Sequence, residues 1–186
     1  MKFEDAQKDM NFSYYGGGTG VLVSGIVWSL AGLVALLHTE VASMLTLFIG
    51  GMFIFPAGML IAKMLKRPGK HLPQNPLGKL AIESTLILFV GLFLAYCVAR
   101  LKIEWFYPIM LLTIGVRYLV FNTLYQLKTY WLLGVILMVS GMLCILLDAD
   151  FMLGAFIGGI TEIIFSFIIL QQSKASVSTP ISHPDS

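Results

Sequence analysis

The chain has 186 residues, 58% of them hydrophobic and 12% charged, against roughly 45–50% and about 25% in an average globular protein. A 20.5 kDa soluble domain cannot hide that much apolar surface, because small domains bury too small a share of it. Composition therefore excludes an ordinary soluble enzyme, a disordered chain and a secreted disulfide scaffold, and the net charge of +2 gives no basic surface for nucleic acid.

What remains is an integral membrane protein. Residues 1–16 read as a cytoplasmic N-terminal segment with no cleavable signal peptide, since they are too polar for an apolar h-region. Phe3, Ala6, Met10 and Tyr14 share one helical face there, which predicts a short interfacial helix. Six apolar runs follow, near 17–38, 41–63, 79–101, 105–125, 130–147 and 151–171. Each meets or approaches the ~20 residues that a bilayer-spanning helix needs. They are too continuously apolar for barrel strands, which alternate. The predicted fold is all-α, an integral membrane bundle of six transmembrane helices arranged as three tandem helical hairpins across 17–171. Residues 172–186 read as a disordered cytoplasmic tail.

Short turns at His38–Glu40, Arg100–Glu104 and Asp148–Asp150 close the hairpins. The loop 64–78 carries Pro68, Pro73 and Pro76, which stop a helix from continuing. The side holding both termini, this loop and residues 126–129 has nine Lys and Arg residues, against Arg100 and Lys102 opposite. The positive-inside rule then places both termini in the cytoplasm. Tyr14 and Tyr15, Trp105, Phe106 and Tyr107, and Tyr130 and Trp131 fall at span ends and are expected to form aromatic belts.

An internal repeat marks the outer hairpins. Residues 32–51 read GLVALLHTEVASMLTLFIGG and residues 141–159 read GMLCILLDADFMLGAFIGG. Each has a glycine, an apolar run, a short acidic turn and then FIGG. Gly91, Glu104 and Ile114-Gly115 give a fainter match in the middle hairpin. This three-hairpin pattern over residues 20–170 resembles the HdeD-like family of small bacterial membrane proteins. The opening FSYYGGGTGVLVSGIVW is also similar to an uncharacterised family of small bacterial membrane proteins. The first resemblance implies a link to acid stress, and neither brings binding residues with it.

Small residues four apart, Gly16 and Gly20, Gly154 and Gly158, Ala155 and Gly159, allow close helix approach within the chain or in a homodimer. The run Gly16–Gly20 lacks the Lys and preceding strand of a phosphate loop and instead begins a helix. Cys97 and Cys144 lie in apolar runs and read as small hydrophobes. His38, His71 and His183 are isolated, so no metal site is expected, and no cofactor motif is present. Lys66, Arg67 and Lys70 are candidates for contact with anionic lipid headgroups.

Two charges fall inside spans. Arg117 lies 12 residues after Trp105 and Glu162 lies 11 after Phe151, about 18 Å and about 16 Å along a helix. Both descend from the same face, so they reach similar depths near the middle of a ~30 Å hydrocarbon core. A lone charge there costs at least ~2.5–3.5 kcal/mol, so an ion pair between the fourth and sixth spans is expected. Glu83 and Asn122 form a second candidate pair, although Glu83 could equally cap its helix or reach water. Thr113, Tyr118 and Ser166 could line the same interior.

Two roles remain open for this constellation. It is either a midplane site that binds or transports a small polar solute or proton, or a satisfied pair that organises the bundle of a structural or stress-response protein. An enzyme is not expected, since HExxH, GxSxG and paired intramembrane aspartates are all missing.

Overall fold

The structure is a computed structural model that describes residues 1–177. Among these residues it is all-helical: α1 (Phe3–Tyr14), α2 (Gly18–Leu37), α3 (Glu40–Met64), α4 (Leu77–Ala99), α5 (Phe106–Tyr125), α6 (Thr129–Leu146) and α7 (Phe151–Val177). Six of its helical segments are long and apolar enough to cross a membrane. Their bounds fall within a few residues of the sequence-predicted spans at most ends.

Local chemistry explains where the helices break. Tyr15, Gly16 and Gly17 take φ of 55°, 64° and 77°, a left-handed run that turns the chain between α1 and α2. Glycine enters that region without steric cost. Gly17 has no room for a side chain either, because a Cβ would lie 2.7 Å from both Tyr125 and Tyr130. Thr39 caps α3, its Oγ1 accepting from Ala42 N at 3.1 Å, and Glu40 in the first turn suits the positive helix end. Pro76 sits immediately before α4, where its missing N–H is not needed.

The helices pack in the neighbour order α3–α2–α7–α6–α5–α4, with α5 also touching α7. All three tandem hairpins are present, but the most extensive contacts join α2 to α7 and α5 to α6. The ring is open between its two ends, since α3 and α4 scarcely touch.

The repeated FIGG segments both serve α2. Gly50 lies against Val27 on one side, while Gly158 and Gly159 lie against Trp28, Ser29 and the Gly25 carbonyl on the other. A Cβ on Gly159 would come within 2.3 Å of Ser29 Oγ and 2.7 Å of its backbone nitrogen. The paired small residues Gly154, Gly158 and Gly159 therefore bring helices together within the chain.

Three expectations need correction. The N-terminal helix forms, but its polar residues bind protein. Gln7 Nε2 donates to Thr123 O at 2.6 Å, Asn11 Nδ2 donates to Tyr125 O at 2.8 Å, and Ser173 Oγ donates to Asn11 Oδ1 at 2.6 Å. Asn75 adds bonds to Ala6 O and Asp9, so α1 is fastened beneath the bundle by the 65–76 loop as well. The last helix runs on to Val177, so residues 172–177 of the expected tail are helical and 178–186 lie outside the described residues. The aromatic belt also shrinks: Phe106, Tyr107 and Tyr130 are fully buried, whereas Trp131 is exposed. Interior partners account for the tyrosines, since Tyr130 OH donates to Gly16 O at 2.6 Å and Tyr107 OH bonds the Ser43 hydroxyl.

Candidate functional site

The site is built around the middle of α5. Residues 117 and 118 point about 100° apart on a helix, and here that angle separates two environments. Tyr118 faces α7, where its hydroxyl donates to Glu162 Oε1 at 2.6 Å. Arg117 faces the open side of the ring, with its guanidinium 5.0 Å above the Phe121 ring.

The expected Arg117–Glu162 ion pair is not formed, although Lys102 and Asp148 do pair at the opposite turns. The physical reason is azimuth. Helical rise fixed the two depths, but Tyr118, one residue on, occupies the direction toward Glu162. The two charges stay within electrostatic range of each other without touching. Among the described residues four buried side-chain polar atoms lack a hydrogen-bond partner: Trp105 Nε1 near the opposite turn and, at this site, Arg117 Nε, Glu162 Oε2 and Ser24 Oγ. Ser24 sits beside Glu162 without closing a hydrogen bond. Among the described residues none hydrogen-bonds the Arg117 guanidinium.

Two cavities meet at Arg117. The larger, about 590 Å³, fills the space between α3, α4 and α5. Its walls are mainly apolar, with Trp28, Leu47, Leu88 and Ile114 among them. Met10, Tyr14 and His71 line its end under α1, where Tyr14 OH and His71 Nδ1 share a hydrogen bond of 2.8 Å. The smaller cavity, about 100 Å³, lies between α2, α3 and α5 and includes Ser24 and Tyr118 in its wall. Tyr118, Phe121, Tyr125 and Tyr130 form a continuous aromatic cluster beside both, with ring centres 5.5–5.8 Å apart.

The other sequence-derived candidates disperse. Glu83 is exposed on α4 and makes no pair with Asn122. Asn122, with its amide nitrogen toward Leu127, donates to Leu127 O and accepts from Trp131 Nε1, each at 3.2 Å. That places it at the α5–α6 turn. Thr113 bonds its own helix at Ile109 O, 2.9 Å, and presses its methyl against Gly91 of α4. Ser166 likewise bonds Ile163 O at 2.7 Å. Arg67 is stacked between Phe12 and Tyr15, at 4.7 and 4.6 Å, while Lys66 and Lys70 are exposed.

Residue-by-residue reading missed Ser24, Trp28, Tyr125 and the Tyr14–His71 contact. A signal for the α5 wall was present: Met110, Ile114, Arg117, Phe121 and Leu124 recur at three- and four-residue spacing. That stripe puts Arg117 on an apolar face with one aromatic a turn away.

Six long apolar helices with an unpaired arginine in a lateral cavity are those of a multi-pass membrane protein. The chain belongs to DUF7010, a family of unknown function, whose profile matches residues 3–172. No curated protein matches the chain, and no solved structure does.

Proposed function

We propose that this protein binds a small anionic solute at Arg117, as a non-enzymatic protein of the bacterial inner membrane with both termini in the cytoplasm. The observation that carries the reading is the buried Arg117 Nε without a partner at the junction of two cavities. Arginine stays protonated in proteins and offers five donors in a planar fork suited to carboxylate or phosphate. A cation at this depth costs several kcal/mol unless an anion or water meets it. Glu162 is already engaged by Tyr118, so an incoming anion is the complementary partner.

The two charges then divide the roles that the sequence left open. Glu162 ties α7 to α5 and organises the bundle. Arg117, held by no protein acceptor, serves the ligand. The basic loop 63–79 supports the cytoplasmic assignment through the positive-inside rule.

Thermal unfolding in neutral detergent tests the reading. Acetate and phosphate are titrated at constant ionic strength. A saturable rise in Tm that disappears in Arg117→Gln is expected. Equal response of both proteins to the anions would overturn the proposal.

A further inference from the structure

We infer that the ligand of this site is an acid carried on a single acyl chain, entering sideways from the bilayer between α3 and α4. This rests on the anion-binding reading of Arg117 and specifies its chemistry.

Four observations converge. The volume of about 590 Å³ is that of a small-molecule site, within the roughly 300–1,000 Å³ usual for one. Its wall on α4 runs from Gly78 to Leu92, about 21 Å along the helix axis. The space is therefore elongated along the helix, as an extended chain requires. The lining is apolar along most of this path, with Leu88, Phe89 and Leu92 on α4 facing Leu47, Phe48 and Met52 on α3. A hydrated metabolite gains nothing from such walls, whereas an acyl chain exchanges one apolar environment for another.

The entrance has the same character. α3 and α4 scarcely touch, and Phe53 and Phe93 on the outer faces of these helices are exposed. Met10, Tyr14 and His71 line the end beneath α1, where Tyr14 and His71 share a hydrogen bond. A lipid-like molecule meets an apolar seam between α3 and α4.

Charge fixes the remaining end of the ligand. Arg117 is a cation in the wall of this apolar cavity, with Nε unpartnered. A carboxylate or phosphate can take two parallel N–H bonds from its fork. An alcohol or ester of the same chain cannot neutralise it.

Trp28 provides a reporter, because it lines the cavity and is only 1% exposed. The probe is 9,10-dibromostearate, whose bromines quench indole on contact. The full chain carrying Trp105→Phe and Trp131→Phe is placed in phosphatidylcholine nanodiscs, leaving Trp28 as the fluorophore. The acid should quench saturably, at a mole fraction about tenfold to a hundredfold below that of its methyl ester, as a charge-assisted contact implies. Arg117→Gln should move the acid's curve onto the ester's, and Arg117→Lys should recover part of the difference.

Equal quenching by acid and ester in the protein with Arg117 intact overturns the inference without relying on any cavity variant. If short anions still raise Tm through Arg117, the anion site stands and the acyl ligand falls. If neither probe depends on Arg117, both readings fall.

Discussion

Tyr118 determines where the two intramembrane charges point. Its hydroxyl holds Glu162, and Arg117, its neighbour, is turned to the cavity side. Tyr118→Phe leaves a fully buried carboxyl group with neither oxygen bonded. A loss of about 1–3 kcal/mol is expected, read as a lower detergent-unfolding temperature. Arg117→Met should behave oppositely. It removes an unpaired cation from an apolar wall, so unliganded stability should hold or rise, and a loss comparable to Tyr118→Phe would mean that Arg117 has an essential structural partner. At this scale the sequence was informative about which residues are unusual and roughly how deep they lie. It was silent on azimuth, because a side chain's direction depends on how each helix is rotated against its neighbours. The ion pair failed for that reason, and so did Glu83–Asn122, since Asn122 serves Leu127 and Trp131.

Helices were more legible than side chains. Proline, threonine and glycine mark the ends of α3 and α4 and the start of α2, and those signals are local. The FIGG repeat was legible as a pattern, while its purpose, gripping α2 from both sides, needed the packing. The two positions Gly159 and Gly51 test that purpose. Gly159→Ala would force a Cβ against Ser29 and the Gly25 backbone carbonyl, whereas nothing lies within 4 Å of a Cβ at Gly51. The first substitution should destabilise by about 1–3 kcal/mol through separation of α2 from α7. The second should stay within about 0.5 kcal/mol, as surface changes usually do. Similar effects at both sites would remove α2 as the element clamped by the repeat.

The same reasoning applies to α1. Its amphipathic face was visible in the sequence, but Asn11 was not recognisable as the tie to Tyr125 and Ser173. An asparagine on a polar helix has no sequence mark separating a solvated role from a docked one. Asn11→Ala should release α1 while leaving α2–α7 in place. Hydrogen exchange is then expected to rise at residues 3–14 and to stay low across α2. Unchanged protection of α1 would show that its apolar contacts, Ala6 and Met10, hold it without the polar ties.

For the whole molecule, hydropathy made the six crossings legible because lipid demands that each crossing satisfy its own backbone. Hydropathy says nothing about whether a ring of helices closes. The open seam between α3 and α4 comes from unequal packing: α2 joins α3 to α7, α5 joins α4 to α6, and little joins α3 to α4. A lateral seam has meaning only if the bundle sits across the bilayer as the basic residues propose, with α1 and the 65–76 loop on the cytoplasmic side. Single cysteines settle that orientation. In a chain with Cys97→Ala and Cys144→Ala, Lys70→Cys should react with a membrane-impermeant maleimide only after cells are opened, and Lys102→Cys should react in intact cells. Both starting side chains are exposed or partly so, so access reports the side of the membrane. The reverse pattern would put α1 on the outer face, and the α1 end of the cavity would then face the exterior. The seam would still open to lipid, so the direction from which an acyl acid enters is independent of this result. What changes is the leaflet beside the Tyr14–His71 end of the cavity.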